Sequence, residues 1–396
     1  MSPSPVYLDH AATTPVRAEV LEAMLPYLGP EAFGNPSSAH GFGRRARAGV
    51  EQARRQIAEA LGGGAEPGDV VFTSGGTEAD NLAVLGAALA AQSRGTSMRV
   101  VVTASEHKAV LAAAEEVERL GGSSHVVPTG TDGLIDFAEL DRGLEEGPAV
   151  VSVMWVNNET GVVQPVDAVA ERCENRGVVF HTDAVQAVGK LPVSLARFRS
   201  VMLTISGHKI GAPKGVGALI VRGPSPSAVH PLVHGGGQQS GVRPGTENVA
   251  GIVGLGRAVE LAVAEQGEEG RRLGTLRDDL AGRLASEIPD LTILAEGSPR
   301  APHILNVAVP GTDSEAMLMH LDLAGVAASS GSACSTGSVE PSHVLSAMNV
   351  PRPLAVAALR FSFGHASTPD DVARAAHAVP PCVAKVRRLA GVLGRG

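Results

Sequence analysis

Lysine is scarce in this chain, and one lysine stands where amine chemistry is expected. Only five lysines occur among 33 lysines and arginines, and Lys209 follows the apolar run 201–205 within Ser206-Gly207-His208-Lys209. An amine in a partly desolvated site has a lowered pKa and can attack an aldehyde to form a Schiff base. Lys214, in a glycine-rich stretch, has the pattern of a surface lysine. We therefore predict that Lys209 is a catalytic amine.

A glycine-rich turn, Ser74-Gly75-Gly76-Thr77-Glu78, follows an apolar run and opens a helical pattern. Glycines allow close backbone approach, and the free N–H groups of a helix start suit a phosphate. Thr77 fits an ordinary helix N-cap equally well. The turn matches neither GxxxxGK[ST] nor GxGxxG, which disfavours a nucleoside triphosphate or a dinucleotide.

Polar groups also follow the neighbouring apolar runs. His107 comes after one run, Asn158 after the next, and Asp183 and Gln186 after a third. In an open parallel sheet, ligands bind outside the carboxyl ends of the strands. A phosphate cradle, a ring to stack, an aspartate for a pyridinium nitrogen and a lysine for an imine together describe a pyridoxal phosphate pocket.

The three cysteines are far apart and form no CxxC pair, which disfavours a zinc site or a disulfide framework and favours a reducing compartment. Gly and Ser surround Cys334 in the stretch 329–338, and this composition predicts a mobile, solvated loop suited to a reactive thiol. Cys173 and Cys382 fall in helical patterns and are expected to be buried.

Arg360, inside an apolar strand pattern, is either a buried ion-pair partner or a group that binds a carboxylate.

The elements that position these groups alternate along the chain. Strands are predicted at 69–73, 99–103, 149–156, 177–181, 201–205 and 216–221, with helical segments such as 78–91 and 108–120 between several of them. Apolar strands separated by helices predict a mostly parallel sheet covered on both faces. The stripe Leu273, Leu276, Leu280 and Leu284 predicts a helix, and 302–309 and 358–363 predict strands of a smaller C-terminal α+β domain.

Composition limits the class of protein. Hydrophobic residues make up 44% and charged residues 19%, which excludes disorder. The chain has no apolar run of the ~18 residues that a spanning helix needs and no secretory signal pattern at its start. The net charge of −8 disfavours direct nucleic-acid binding and binding to an anionic membrane. We expect a soluble, cytoplasmic protein.

An ordered set of motifs runs almost end to end and resembles the pyridoxal-phosphate-dependent cysteine desulfurases of the class V aminotransferase type, in the branch with a long cysteine loop. The matching segments are YLDHAATTP (7–15), GNPSSAH (34–40), FTSGGTEADNLA (72–83), EHKAV (106–110), NNETG (157–161), HTDAVQAVGK (181–190), SGHKIGAPKGVGAL (206–219), HGGGQQSGVRPGTEN (234–248), SSGSACSTG (329–337) and LRFSFG (359–364).

The resemblance implies a role for each matching residue. Lys209 carries the cofactor, His107 stacks on its ring, Asp183 pairs with the ring nitrogen, and Gln186, with Asn158 nearby, bonds the ring hydroxyl. The phosphate is held by Gly76, Thr77, Ser206 and His208, and by Thr246 from a second subunit. The substrate binds through Asn35, Asn158 and Arg360, and Cys334 is the nucleophile that takes up sulfur as a persulfide.

The resemblance also implies a fold and partners. It predicts a fold-type I enzyme with a large cofactor-binding α/β domain at 16–262 and a small α+β domain formed by 1–15 and 263–396. The substrate is L-cysteine, the product L-alanine, and the assembly a homodimer. Sulfur passes to an acceptor or scaffold protein for iron–sulfur clusters, tRNA thiolation or another thio-cofactor. No resident metal is expected, although Cys334 could transiently ligate a nascent iron–sulfur cluster.

Alternatives remain at this point. A selenocysteine lyase or another lyase or aminotransferase shares the fold, although transamination needs no mobile thiol. A cofactor-free scaffold that only binds sulfur-assembly partners would not need Lys209, Asp183 and His107 together. Two residues depart from the family pattern, His10 where many relatives have Asn and Gln239 where Glu is usual.

Overall fold

Strands and helices alternate along most of the chain in the computed structural model, which describes residues 5–223, 228–330 and 340–393. The strands are β1 (Val6–Tyr7), β2 (Val70–Thr73), β3 (Arg99–Thr103), β4 (Ser123–Val127), β5 (Val150–Ser152), β6 (Val179–Asp183), β7 (Val201–Ser206), β8 (Gly217–Arg222), β9 (Thr292–Ile293), β10 (Ile304–Ala308), β11 (Val326–Ala327) and β12 (Ala358–Ser362). The helices are α1 (Ala18–Leu28), α2 (Gly41–Leu61), α3 (Gly76–Ser93), α4 (Lys108–Arg119), α5 (Phe137–Glu145), α6 (Val166–Asn175), α7 (Val249–Glu287), α8 (Ser314–Leu323), α9 (His343–Ala347), α10 (Arg352–Ala355) and α11 (Pro369–Leu393).

The central sheet has seven strands in the order β2-β8-β7-β6-β5-β3-β4. Neighbouring strands are parallel except at β8, which is antiparallel to both β2 and β7. The inner strands are apolar on both faces because hydrophobic clusters pack on each side of the sheet. This arrangement confirms the predicted α/β fold with a mostly parallel seven-stranded sheet.

A second, smaller set of strands includes β12, which carries Arg360. β12, β10 and β9 form an antiparallel sheet, and β1 pairs with β11 in parallel, so the N-terminal strand joins the C-terminal part of the chain. These strands share a separate hydrophobic cluster with α7, α8 and α11. Helix α7 itself spans both clusters, with Ile252 in the first and Leu273 in the second. The predicted boundary between the large and the small domain, after residue 262, thus falls within a continuous helix. This division into domains stays a prediction.

One predicted strand of the central sheet is much shorter in the structure, and one strand of that sheet was not predicted. The run 149–156 is a strand only to Ser152, after which Val153 and Trp155 donate single backbone bonds to the oxygens of His181 and Asp183. Sequence analysis missed β4, which lies at the sheet edge and is half-exposed, so its polar start Ser-Ser-His gave no apolar run.

Burial of the two cysteines outside the predicted loop is confirmed, since Cys173 and Cys382 are both buried and free.

Within the part of the chain that the structure describes, no helix combines the length and the apolar character needed to cross a membrane.

Candidate active site

The carboxyl ends of the parallel strands meet at a cavity of about 210 Å³. Its wall comprises Gly76, Thr77, Asp80, His107, Met154, Asn158, Asp183, Val185, Gln186, Ser206, His208 and Lys209. The structure therefore brings together nine of the predicted site residues, which the chain spreads over more than 130 positions. Of these twelve, sequence analysis did not select Asp80, Met154 and Val185.

Lys209 projects its amine toward the N-terminal segment of the chain. Its Nζ donates to the backbone oxygens of Ala11 at 2.6 Å and Ala12 at 2.7 Å. Burial lowers the pKa of Lys209 to about 8, with a further lowering by the positive charge of Arg360 and an opposing effect of Asp183 and Asp9. The fraction of this amine that is neutral near neutral pH is therefore larger than for an ordinary lysine.

The turn between β2 and α3 forms one end of the cavity. A Cβ atom added at Gly76 would lie 3.1 Å from Val185 Cγ2 and 3.4 Å from Ser206 Cβ, so a larger side chain would crowd this end. His208 Nδ1 lies 3.2 Å from Thr13 Oγ1, which holds that ring at the same end. The free N–H groups of the first turn of α3, with the Thr77 and Ser206 side chains in the wall, make a site suited to a phosphate.

The ring of His107 forms another part of the wall. His107 is the N-cap of α4, and its Nδ1 accepts a hydrogen bond from the backbone N–H of Ala109 at 3.1 Å. This contact assigns the proton of the neutral ring to Nε2. Desolvation lowers the pKa of His107, with the Asp183 charge acting in the opposite direction.

Three carboxyl groups are buried at or behind this wall. Asp183 Oδ1 accepts from the Val185 N–H at 2.9 Å, and desolvation raises the pKa of Asp183. Burial raises the pKa of Glu106 to about 8 and that of Asp80 well above its ordinary value. One buried oxygen of Asp80 and one of Glu106 have no hydrogen-bond partner. Glu106 therefore holds a proton near neutral pH. A cationic ligand group beside Asp183 would stabilise the ionised form of that carboxyl.

Arg360 reaches the site from β12. Its guanidinium is buried and donates through Nη1 to the Asn158 backbone oxygen at 2.8 Å and through Nη2 to Asp9 Oδ1 at 2.7 Å. The ion pair with Asp9 shows that Arg360 is a buried ion-pair partner, and its binding of a substrate carboxylate stays a prediction. Sequence analysis did not select Asp9, which the fold brings beside Arg360 across 351 positions.

Cys334 lies outside the described residues, but the segments on either side of 331–339 can be placed. Ser329 pairs with Arg360 through two backbone hydrogen bonds of 3.1 and 2.6 Å. On the other side, the Ser342 hydroxyl donates to Glu159, and His343 Nε2 lies 2.9 Å from the Glu106 backbone oxygen. One flank is therefore paired with β12, and the other is attached to segments that follow strands of the central sheet.

Two predicted site residues lie away from this wall. Asn35 is exposed, and its Oδ1 accepts from the Ser37 N–H at 2.9 Å. Thr246 is also exposed, in a segment tied to the start of α3 by the Arg243–Glu78 ion pair. Their assigned roles stay predictions, and the role of Thr246 needs a second chain.

The two departures from the family pattern have local structural reasons. The Gln239 amide accepts from the Phe72 N–H at 2.9 Å and donates to Glu247, a donation that a glutamate could not make in its ionised form. His10 is buried with its Nδ1 2.8 Å from Thr14 Oγ1, and burial lowers its pKa to about 4.

Comparison with known proteins places this geometry in a family. The model of the aminotransferase class-V family matches residues 6–375. The chain is 43% identical to a cysteine desulfurase IscS of Dictyoglomus turgidum, over 97% of this chain and 96% of that protein. A solved NifS-like protein superposes with a TM-score of 0.88 at 34% identity, covering 96% of this chain and 100% of the other. A structure of SspA in complex with cysteine has a TM-score of 0.77 at 33% identity, covering 90% and 98% of the two chains.

Proposed function

We propose a function from one premise: the chain belongs to the aminotransferase class-V family, and its near-full-length relatives are cysteine desulfurases. The proposed reaction removes sulfur from L-cysteine and releases L-alanine. One observation carries this proposal, namely the amine of Lys209 in a cavity that also contains Asp183, His107 and the N-terminus of α3. This set provides an attachment point, a partner for a ring cation, a stacking ring and a phosphate site.

The residues present fit pyridoxal 5'-phosphate. Gly76, Thr77, Ser206 and His208 would hold the phosphate, where a Cβ at position 76 would crowd Ser206 and Val185. Asp183 would hold the ring nitrogen, His107 would lie against the ring, and Gln186 and Asn158 would face the ring hydroxyl. The bound cofactor supplies an electron sink for the α-carbon of the substrate.

The chain's own residues then bind the substrate and move its protons. Arg360 would bind the substrate carboxylate, because its guanidinium is fixed at the edge of the site by Asp9 and the Asn158 oxygen. Lys209, with its pKa of about 8, is proposed as the base and acid at the α-carbon. His107 presents Nε2 as its protonated nitrogen and is proposed as a proton donor or acceptor for the sulfur.

Cys334 is proposed as the sulfur acceptor. Its thiolate forms a sulfur–sulfur bond with the substrate sulfur, and the carbon–sulfur bond of the substrate breaks. The electron pair of that bond stays with the β-carbon, which takes up a proton to give L-alanine, while the sulfur is oxidised to the persulfide level on Cys334. The persulfide then passes to an acceptor protein. The attachment of both flanking segments near Arg360 and Glu106 supports this role.

A homodimer is proposed as the working assembly. The helix α1 and the turn after it expose apolar side chains, with Leu28 65% and Phe33 63% exposed in one chain. A second copy is the proposed cover for this surface and the proposed source of Thr246 for the phosphate site. Sedimentation that showed a stable, active monomer would contradict the dimer.

The proposed function is tested with two lysine variants. Lys209→Ala should abolish the yellow chromophore that the chain acquires with pyridoxal phosphate, together with alanine release from L-cysteine. Lys214→Ala is the matched control, since Lys214 is exposed and lies outside the cavity wall among the described residues, and it should retain both. A normal chromophore and normal turnover in Lys209→Ala would refute the assignment.

A further inference from the structure

A buried histidine contacts the cavity residue Gln186 from behind. His303 precedes β10 and is 1% exposed, and its Nε2 lies 3.0 Å from Oε1 of Gln186. These two residues are 117 positions apart and join the small antiparallel sheet to the cavity wall. His303 does not line the cavity, and nothing in the proposed reaction uses it.

A backbone carbonyl determines the orientation of the Gln186 amide. The Gln186 Nε2 donates to the oxygen of Ala11 at 2.9 Å, and the same oxygen accepts from Lys209 Nζ at 2.6 Å. A carbonyl oxygen can only accept, so a flipped amide would place two acceptors face to face. The amide oxygen therefore faces His303, and Nε2 of His303 must carry a proton.

The surroundings of His303 favour a neutral ring with that single proton. Its Nδ1 is buried and has no hydrogen-bond partner. Burial lowers the pKa of His303, and the nearby cationic groups Lys190, Arg360, His10 and Arg277 lower it further. A neutral ring with its proton on Nε2 leaves a lone pair, not a buried N–H, on the unpartnered nitrogen.

We propose that His303 is a positioning residue that fixes the amide of Gln186, so that Gln186 offers an N–H donor and not an oxygen to the ligand in the cavity. One Nε2 proton of Gln186 is used on Ala11, and the other remains for an anionic oxygen of the ligand. This inference rests on the proposed function, in which that oxygen belongs to the ring hydroxyl of pyridoxal phosphate. Without His303, only the bond to Ala11 orients the amide, and the donor is held less firmly toward the ligand.

The test measures the dissociation constant for pyridoxal phosphate and the pH midpoint of the visible absorbance of the bound cofactor. His303→Leu removes the donor at similar volume and should weaken binding about tenfold, the loss expected for one hydrogen bond, and should move the midpoint. His303→Gln keeps a donor at the ε position and should bind within about threefold of the parent. His125→Leu, at a partly buried histidine facing the Glu139 oxygen, is the matched control and should bind as the parent does.

A double-mutant cycle distinguishes positioning from general packing. In a Gln186→Ala background, His303→Leu should change the dissociation constant by less than about twofold, because its target is gone. An equal loss in both backgrounds, or an unchanged midpoint in His303→Leu with only a lower melting temperature, would overturn the proposal.

A cofactor-free measurement separates this proposal from the proposed function and does not depend on the folding of His303→Leu. Nitrogen-15 spectra of the histidine-labelled parent should contain a neutral ring protonated at Nε2 whose signal moves in Gln186→Ala. A ring protonated at Nδ1 in that position would refute the inference even if the cofactor binds. Failure of the parent to bind pyridoxal phosphate would refute only the function.

Discussion

Titration of Lys209 in the cofactor-free chain tests the electrostatics of the site. The structure lowers the pKa of this amine to about 8, first through burial and then through the charge of Arg360. At pH 7 about one molecule in eleven then carries a neutral amine, compared with about one in 3,000 for a lysine with an ordinary pKa. The reactive fraction is therefore raised about 300-fold.

The scarcity of lysine makes this titration practical. Reductive methylation with carbon-13 formaldehyde labels at most five side chains and the N-terminus, and Lys209→Arg identifies the signal of interest. Its chemical shift should titrate with a midpoint near pH 8. A midpoint at or above 10.5, the value of an ordinary lysine, would refute the claim that burial outweighs the nearby carboxylates.

Two variants are expected to shift the pKa of Lys209 in opposite directions. Arg360→Met removes a positive charge and leaves Asp9 unpaired, and both changes should raise the pKa of Lys209. Asp9→Asn removes a negative charge and should lower the pKa of Lys209. A shift in the same direction in both variants would show that packing changes, and not charge, dominate.

Three further changes have expected outcomes. Burial lowers the pKa of His181 to about 3, whereas an unfolded chain protonates its histidine near pH 6.5. Acidification from pH 7.5 to 5 should therefore reduce the free energy of unfolding by about 2 kcal/mol through this residue. Urea unfolding of His181→Gln should show a smaller loss on acidification, and an equal loss would contradict the assignment. Gly364→Ala places a Cβ 2.3 Å from His10 Nδ1 and should destabilise the fold by about 1–3 kcal/mol in thermal melts, with recovery when His10→Ala is added; no recovery would contradict the clash. Arg360→Lys should raise KM for L-cysteine about tenfold or more with a smaller effect on kcat, and an unchanged KM would exclude the proposed carboxylate contact.

Local patterns in the sequence were sufficient for six of the seven strands of the central sheet and for the groups at the strand ends. Apolar runs fixed the inner strands, and polar residues directly after them, such as His107 and Asp183, had to meet at one edge of the sheet. Asp80 was missed, although it lies one helical turn after Thr77 on a face that is otherwise apolar. A single acidic residue on such a face is the signal that could have identified it.

Long-range contacts could not be predicted from local pattern. The oxygens of Ala11 and Ala12 contact Lys209 because β1 joins the C-terminal sheets and carries the following residues to the cavity, across about 198 positions. The hydrogen bond between His303 and Gln186 likewise joins residues that are far apart in the sequence. Backbone oxygens have no residue-specific signature, so these contacts become visible only in the folded chain.

The most direct test of the central claim follows the sulfur atom in a single turnover. The chain loaded with pyridoxal phosphate is mixed with L-cysteine, alanine is quantified, and the peptide containing Cys334 is examined by mass spectrometry, in the parent and in Cys334→Ser. The account predicts one alanine for each sulfur atom added to Cys334, and no alanine from Cys334→Ser although its yellow colour is retained. Full alanine release by Cys334→Ser, or release of pyruvate in place of alanine, would contradict it.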